Sequence, residues 1–435
     1  MSENEKGETD MELLERVLSK DNMNLAYKQV YKNKGASGVD GVTIDELFAY
    51  IKEHKEEILW QIRNRKYKPL PVKRVLIPKE NGKMRKLGIP SVIDRVIQQA
   101  IVQVLTPIYE EIFSNNSYGF RPNRSCEMAV IKALELFNDG YEWIVDIDLQ
   151  SFFDEVNQDK LIGIIRRTIK DGNLVSLIGR FLHSGVMEKG VVQETKKGTP
   201  QGGNLSPLLS NIMLNELDKE LEARGLNFVR YADDCLIMVK SEKAANRVME
   251  SITTFITRKL GLKVNVEKSK VARPDNIKYL GFGFYKKENQ IKWRPKPHIK
   301  SVQKFKIKLK KILVRGISMS LDERLIKLKQ LIYGWINYFR IAEMRWILIS
   351  IDKNIRRKLR VIIWKQWKRI RKRYTCLRKL GITHRDAYVT VNSRKGYYYI
   401  SHTRVLETAI SKERLNKRGL VNSLDHYLKV HIITN

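Results

Sequence analysis

Long hydrophobic runs, cysteines and acidic residues are scarce in this sequence of 435 residues. No apolar run approaches the roughly eighteen residues that a membrane-spanning helix needs, so we expect no membrane partner. The three cysteines are odd in number and far apart, which argues against a disulfide framework or a zinc site and indicates a reducing cytoplasm. The polar first ten residues also lack the apolar stretch of a secretory signal.

The scarcity of acidic residues leaves a large excess of positive charge. The sequence has 82 Lys and Arg residues against 48 Asp and Glu residues, a formal net charge of +34. Solubility does not require so large an imbalance, whereas a polyanionic partner would be bound through its phosphates. A solvated basic surface and attraction to anionic lipid are the alternatives, but no amphipathic anchor supports the lipid. We therefore expect a nucleic acid partner.

Hydrophobic periodicity predicts an α/β (α+β) fold that mixes helices with a largely antiparallel sheet. Residues 74–78 and 85–89 flank a polar turn that contains glycine, which predicts a hairpin. Residues 228–239 predict a second hairpin with an Asp-Asp turn, and residues 143–149 predict a strand. From Pro295 onward the composition changes to basic helices, which marks the best domain boundary.

Carboxylates in the second hairpin and in the 143–149 strand are candidates for metal chemistry. Asp233 and Asp234 form the turn, while Asp146 and Asp148 alternate onto one face of the strand and cannot be separated by periodicity. A nucleotidyl transferase needs such carboxylates to hold two Mg²⁺ ions, one activating the attacking 3′-oxygen and one neutralising the leaving pyrophosphate. The tetrapeptide Tyr-x-Asp-Asp is a weak signal alone, because an acidic hairpin turn is more often simply solvated.

The segment Asp148-Leu-Gln-Ser-Phe-Phe resembles the first metal-binding motif of reverse transcriptases, in which the catalytic Asp precedes two aromatic residues by four and five positions. This resemblance selects Asp148 over Asp146, which becomes a supporting carboxylate. Further motifs follow in the order found in reverse transcriptases encoded by bacterial group II introns, across nearly the whole chain. The resemblance implies a right-hand polymerase with two Mg²⁺ ions on Asp148, Asp233 and Asp234.

The same resemblance implies roles toward the incoming deoxynucleotide. Lys79 and Arg85 match the two cations of the fingers that bind the triphosphate, and Gln201 matches a residue that contacts the nucleotide and the template. Phe153 matches the aromatic steric gate, whose ring leaves no room for a 2′-hydroxyl group. Lys268 matches a position proposed to protonate the pyrophosphate.

Other motifs of the family concern the nucleic acid strands. Residues 34–41 resemble the N-terminal extension loop that covers the template, and residues 118–122 resemble a fingers motif. Leu280, Gly281 and Phe282 resemble the primer grip.

The last part of the chain resembles a maturase domain followed by a DNA-binding segment. Residues 334–339, Gly-Trp-Ile-Asn-Tyr-Phe, are similar to the maturase or thumb signature, and we assign Trp335 and Tyr338 to packing. Between residues 356 and 373, ten of eighteen residues are Lys or Arg, which repel one another unless phosphates neutralise them. The candidate contacts to RNA or DNA are Arg356, Arg357, Lys358, Lys365, Lys368 and Arg369.

The resemblance implies five parts: an N-terminal extension (1–66), fingers (67–125), a palm with the catalytic site (126–294), a thumb or maturase (X) domain (295–355) and a basic DNA-binding region (356–435). The implied partners are group II intron RNA, an RNA template with a DNA primer, target DNA and deoxynucleotides, in a bacterial cytoplasm. Many relatives continue into a Cys/His-containing endonuclease domain. We expect cleavage of the second strand of the target DNA to be absent here. Mobility of the intron would then use single-stranded or replicating DNA as its target.

Three alternatives stand beside the leading hypothesis of an intron-encoded reverse transcriptase that also stabilises its intron RNA during splicing. A bacterial reverse transcriptase without an intron, serving antiviral defence or CRISPR spacer acquisition, would keep the three aspartates, but residues 334–339 favour the intron class. A catalytically silent RNA-binding scaffold is less consistent with the intact carboxylates. An RNA-dependent RNA polymerase needs room for a 2′-hydroxyl group, which Phe153 should deny.

Overall fold

The computed structural model describes residues 12–78, 82, 84–195, 197–199, 202–288 and 290–432. The chain divides into two compact units, Met1–Arg273 and Pro274–Asn435. This boundary precedes Pro295, where the composition changes, because a hairpin of the second unit packs with the helices that follow it: Phe282 and Phe339 have ring centroids 4.8 Å apart. The finer division into five functional parts stays a prediction.

The first unit combines helices with two sheets. Its α-helices are α1 (Leu13–Leu18), α2 (Lys20–Asn33), α3 (Leu47–Arg63), α4 (Val92–Glu110), α5 (Cys126–Asn138), α6 (Phe152–Glu155), α7 (Gln158–Thr168), α8 (Gly172–Leu182), α9 (Ser206–Ala223) and α10 (Glu242–Phe255), which continues as a π-helix over Ile256–Leu260. Serine side chains accept from backbone N–H groups at several helix starts, as at Ser91, Ser125 and Ser241.

The strands of the first unit confirm both predicted hairpins. They are β1 (Val72–Pro78), β2 (Met84–Ile89), β3 (Trp143–Ile147), β4 (Val186–Glu188), β5 (Val191–Gln193), β6 (Asn227–Tyr231), β7 (Asp234–Val239) and β8 (Lys270–Ala272). One sheet has the order β2-β1-β4-β5 and the other the order β6-β7-β3-β8. The second sheet is antiparallel throughout, and its β6–β7 register opposes Tyr231 and Asp234.

The core of the first unit lies between this antiparallel sheet and the helices. Helices α4 and α9 are buried over most of their surfaces, and buried residues of β3 and β7, such as Val145 and Ile237, pack in the same cluster. Burial of so much apolar surface supplies the main driving force for folding. The ends of β3, β6 and β7 are thereby attached to a rigid base.

The second unit is largely helical. It begins with a 3₁₀ turn and the antiparallel strands β9 (Phe282–Tyr285) and β10 (Arg294–Pro297), and continues with α11 (Ile299–Ile312), α12 (Leu321–Tyr338), α13 (Arg345–Gln366), α14 (Ile370–Lys379), α15 (His384–Val391), α16 (Tyr397–Ile400), α17 (Arg404–Ala409), α18 (Lys412–Lys417) and α19 (Ser423–Val430). Its core includes Leu328, Ile332 and Leu359, all fully buried. Within the described ranges, no helix is long and apolar enough to cross a membrane.

Candidate active site

The turn between β6 and β7 carries the two adjacent aspartates, Asp233 and Asp234. Tyr231 and Asp234 pair across the hairpin, so Ala232 and Asp233 form the tip. Ala232 has φ of 56°, a left-handed conformation that strains a residue with a Cβ atom. The surroundings must therefore hold this turn in place.

A buried arginine holds the turn from below. The guanidinium of Arg230 donates to the Ala232 carbonyl at 2.9 Å, to both oxygens of Asp218 at 2.7 and 2.5 Å, and to Asn211 Oδ1 at 3.0 Å. The side chains of Arg230 and Asp218 are both 0% exposed. Burial raises the pKa of Asp218, and the positive charge of Arg230 opposes that rise. The network therefore fixes the backbone next to Asp233.

The Tyr-Gly-Phe-Arg-Pro motif of residues 118–122 packs directly on the turn. The N–H of Tyr118 donates to the Arg230 carbonyl at 2.8 Å, and Asn211 donates to the Gly119 carbonyl at 2.8 Å. A Cβ at Gly119 would lie 2.2 Å from the backbone nitrogen of Ala232, so this close approach requires glycine. The predicted fingers motif thus contributes a backbone support for the acidic turn.

Asp148 lies at the end of the neighbouring strand. The β3–β7 ladder opposes Ile147 and Cys235, so the next positions along it, Asp148 and Asp234, lie side by side. The N–H of Asp148 donates to Ser269 Oγ at 3.0 Å, which fixes the backbone here. Lys268 Nζ lies 2.8 Å from Asp148 Oδ2. The structure therefore places the backbones of Asp148, Asp233 and Asp234 close together and pairs Lys268 with Asp148.

Asp146 occupies a different environment from Asp148. It lies within β3, opposite Leu236 on one side and Lys270 on the other. Burial raises the pKa of Asp146 to about 6, Lys270 lowers it and Asp148 raises it further. A carboxyl group in such surroundings gives up its proton less readily than an ordinary Asp. The choice of Asp148 as metal ligand stays a prediction.

The carboxylate set has the right chemistry for a divalent ion but does not form a preassembled cage. Carboxylate oxygens are the ligands that hard divalent cations prefer. Among the residues that the structure describes, however, no group of three or more His, Cys, Asp or Glu side chains is placed to hold a metal ion. The observed partner of the Asp148 carboxylate is the Lys268 ammonium. The three backbone positions are adjacent, and their side chains do not converge.

Phe153 lines a cavity of about 370 Å³ beside the β1–β2 hairpin. Its ring packs edge-on against Phe152, with centroids 5.3 Å apart. The N–H of Thr199 donates to the Phe153 carbonyl at 2.7 Å, which ties the residue to the loop before α9. Among the described lining residues, three cations, Arg74, Lys86 and Lys197, share the cavity wall with two carboxylates, Asp154 and Glu155.

The predicted nucleotide contacts are described only in part. Lys79 and Gln201 lie outside the described residues. Arg85 lies on β2 opposite Ile77, and alternation along the strand directs it away from the face on which Lys86 lines the Phe153 cavity. Arg74 and Lys86, which the sequence did not single out, line the Phe153 cavity, and Arg85 is not among its described lining residues.

The predicted primer grip and maturase motif pack together in the second unit. Leu280 and Gly281 form a turn with φ of 49° and 85°, and the hydroxyl of Tyr338 donates to the Leu280 carbonyl at 2.8 Å. Phe282 packs on Phe339, and Trp335 stacks on Phe305 with centroids 4.4 Å apart. These contacts agree with a packing role for Trp335 and Tyr338.

The basic segment from Arg356 is half buried rather than a free helix. Residues Leu359 and Trp364 of the same helix are buried, and Arg360 forms an ion pair with Glu407 at 2.8 Å. The predicted contact residues are placed on or just after α13, partly or fully exposed: Arg356, Arg357, Lys358, Lys365, Lys368 and Arg369. Their role in nucleic acid binding stays a prediction.

Sequence reasoning missed the Arg230 network, although a signal was present. Arg230 is a charged residue in the apolar segment Phe228-Val-Arg-Tyr, and Asp218 interrupts the apolar spacing of α9. Buried charges require partners, so each of these residues predicts an oppositely charged partner without identifying it. Their pairing joins elements that no local pattern connects.

Two family profiles match the chain. The first, described as reverse transcriptase (RNA-dependent DNA polymerase), matches residues 77–284. The second, described as group II intron, maturase-specific domain, matches residues 302–381. The catalytic candidates lie within the first match, and the motif of residues 334–339 lies within the second.

Two relatives and one solved structure are similar to this chain. Protein YkfC of Escherichia coli (strain K12) is 34% identical over 299 residues, which cover 59% of this chain and 78% of YkfC. The group II intron-encoded protein LtrA of Lactococcus lactis subsp. cremoris is 32% identical over 343 residues, which cover 62% of this chain and 57% of LtrA. A solved structure titled "Partial Cas6-RT-Cas1--Cas2 complex" aligns with 57% of this chain and 43% of that one, at 23% identity and a TM-score of 0.38.

Proposed function

This chain belongs to the group II intron family of reverse transcriptases, and on that premise we propose that it copies RNA into DNA at the site of Asp148, Asp233 and Asp234. Reverse transcriptases depend on divalent metal ions. The adjacency of Asp148 and Asp234 across the β3–β7 ladder is the observation that supports this site. The polymerase would take a DNA primer on an RNA template and deoxynucleotides as substrates.

The three carboxylates would hold two Mg²⁺ ions. Bound ions of this kind activate the 3′-oxygen of the primer and neutralise the leaving pyrophosphate. Lys268, whose ammonium lies 2.8 Å from Asp148 Oδ2, would be the proton donor to the pyrophosphate. Arg230 would keep the turn at Asp233 fixed, so that little reorganisation is needed during the reaction.

The side chains around the Phe153 cavity would bind and select the nucleotide. The Phe153 ring would contact the sugar and exclude a 2′-hydroxyl group, so that deoxynucleotides are preferred. Lys79, Arg85 and Gln201 are proposed to contact the triphosphate and the template. The nearby Arg74 and Lys86 add positive charge on the cavity wall.

The second proposed activity is binding of group II intron RNA to assist splicing. The match of residues 302–381 to the maturase-specific domain supports it, as does the net charge of +34. The same match favours the intron class over a reverse transcriptase of a defence or CRISPR-associated system. The intact Asp148, Asp233 and Asp234 argue against a silent scaffold. If the gene lies within a sequence whose RNA folds as a group II intron, the chain belongs to the intron class rather than to a defence or CRISPR-associated system.

Primer extension tests the polymerase directly. A DNA primer annealed to an RNA template is incubated with Mg²⁺ and either deoxynucleotides or ribonucleotides. We expect extension with deoxynucleotides, loss of extension in Asp233→Ala, and normal extension in the control Asp159→Ala, whose side chain is exposed at the start of α7. Ribonucleotide preference, or extension that survives Asp233→Ala, would contradict the proposal.

A further inference from the structure

A cavity of about 510 Å³ lies in the second unit between α11, α13 and α16. Its volume is within the range of sites that bind small organic groups. Lys358, a candidate contact to nucleic acid, lines this cavity, and the roles proposed above use none of its other described lining residues. Its lining combines an apolar floor, a basic rim and an exposed aromatic ring.

The floor of the cavity is apolar and rigid. It includes Leu309 on α11 and Ile351 and Ile355 on α13, all buried in the unit. These side chains are held by the packing of two long helices, so the floor is a preformed surface. A flat apolar group is the natural occupant, and Asn354 at the edge could hydrogen-bond to the polar edge of that group.

The rim of the cavity is basic. Four of the described lining residues are Lys or Arg, and none is Asp or Glu. Lys306 and Lys310 are four residues apart on α11, where like charges repel each other unless an anion lies between them. A phosphate on each side of the bound group would neutralise this charge and release counterions.

A tyrosine stands at the edge of the cavity. Tyr398 is 55% exposed, and its hydroxyl accepts from the Arg357 guanidinium at 3.3 Å. The Arg357 guanidinium and the Lys358 ammonium each lie 5.8 Å from its ring centroid. An exposed ring next to cations is the arrangement on which single-stranded nucleic acids stack their bases.

We propose that this cavity binds one unpaired RNA base, stacked on Tyr398, with the flanking phosphates on Lys306 and Lys310. An apolar floor alone would suit many ligands, but a floor with a basic rim and a stacking ring suits a base on a phosphate backbone. The choice of RNA rests on the proposed function, because most of the cavity lies within the maturase-specific match of residues 302–381.

The test uses the full chain and two RNA hairpins that differ by one unpaired adenosine. 2-Aminopurine replaces this adenosine, and its fluorescence reports stacking. The wild type should bind the bulged hairpin about 5- to 100-fold more tightly than the paired one, as expected for a base stacked on an aromatic ring. Tyr398→Ala should abolish this preference, and Tyr398→Phe should retain it.

Matched controls separate this site from general RNA affinity. Tyr399→Ala removes a neighbouring tyrosine of equal exposure, 53%, and should keep the preference for the bulge. Lys310→Gln should weaken binding of the bulged hairpin and reduce its salt dependence by about one phosphate contact. Because Tyr398 is exposed, none of these variants should lose its fold, which circular dichroism checks.

Several outcomes would overturn the proposal. Equal affinity for the two hairpins, or a preference that survives Tyr398→Ala, would exclude this cavity as a base site. An equal preference for a bulged DNA hairpin would exclude selection of RNA. Primer extension by Tyr398→Ala should equal that of the wild type, so failure of the polymerase proposal and failure of the base site are read from separate measurements.

Discussion

Replacing Arg230 with Met tests how strongly the buried ion pair holds the acidic turn. The change removes the guanidinium and keeps a long apolar side chain. Asp218 is then left unpaired at 0% exposure, a change that typically costs about 3–5 kcal/mol. This is a large share of the roughly 5–15 kcal/mol by which a native domain is stable, and it should raise the opening equilibrium roughly 150- to 5,000-fold.

The loss of stability in Arg230→Met should depend on pH. Burial raises the pKa of Asp218 and Arg230 opposes this, so the pKa must rise further without Arg230. A carboxyl group with a raised pKa in the folded state contributes stability at low pH that is lost as the pH rises through that pKa. Arg230→Met should therefore be closer to the wild type at pH 5.5 than at pH 8.

Hydrogen–deuterium exchange of the peptide covering β6 and β7 measures this opening in the first unit. The control is Arg167→Met, which breaks an exposed pair with Glu216 and should cost less than about 1 kcal/mol. Adding Asp218→Asn to Arg230→Met removes the buried charge and should restore part of the stability.

Enzyme kinetics distinguish an effect on the position of the acidic turn from an effect on stability. In the restored double variant the Ala232 carbonyl still lacks its donor, so kcat for nucleotide addition should fall while KM for the nucleotide stays near the wild-type value. Exchange in Arg230→Met no faster than in Arg167→Met would refute the reasoning, as would full kcat in the double variant.

Three further substitutions probe other parts of the site. Phe153→Ala should raise ribonucleotide use relative to deoxynucleotide use by about 10-fold or more, measured as a ratio of kcat/KM values, and an unchanged ratio would remove the gate assignment. Gly119→Ala should lower kcat because its Cβ meets the Ala232 nitrogen at 2.2 Å, whereas Gly163→Ala, with no neighbour within 4 Å, should be active; equal activities would refute this. Burial raises the pKa of Asp94 from 3.8 to about 6, so the wild type should lose up to about 3 kcal/mol of stability relative to Asp94→Asn as the pH rises from about 3 to 7, and parallel thermal unfolding curves across that range would contradict it.

Local patterns predicted the elements that carry the site, because those elements depend on neighbours in sequence. The apolar segments on each side of Asp233 and Asp234 correctly predicted β6 and β7. Strand β9 covers only Phe282–Tyr285 and follows the turn of Leu280 and Gly281. Leu280 adopts a left-handed φ of 49°, a conformation that the sequence does not predict for a leucine.

Long-range pairing was beyond the sequence alone. Nothing near Arg230 indicates that its partner is Asp218, because the pair forms only when β6 packs on α9. Helix α10 continues as a π-helix over Ile256–Leu260, which precedes Gly261 at φ of 70°. The cavity near Tyr398 joins α11, α13 and α16, which no sequence period connects.

The central claim is that adjacent carboxylates on β3 and in the β6–β7 turn carry DNA synthesis on RNA. Single-turnover addition of one deoxynucleotide to a DNA primer on an RNA template tests it most directly, with template binding confirmed for each variant. Asp148→Asn, Asp233→Asn and Asp234→Asn should each lose about 10³-fold or more, since each removes a metal ligand. Asp146→Asn should stay within about 10-fold of the wild type. A wild-type rate in any of the first three, or a loss confined to Asp146→Asn, would contradict the account.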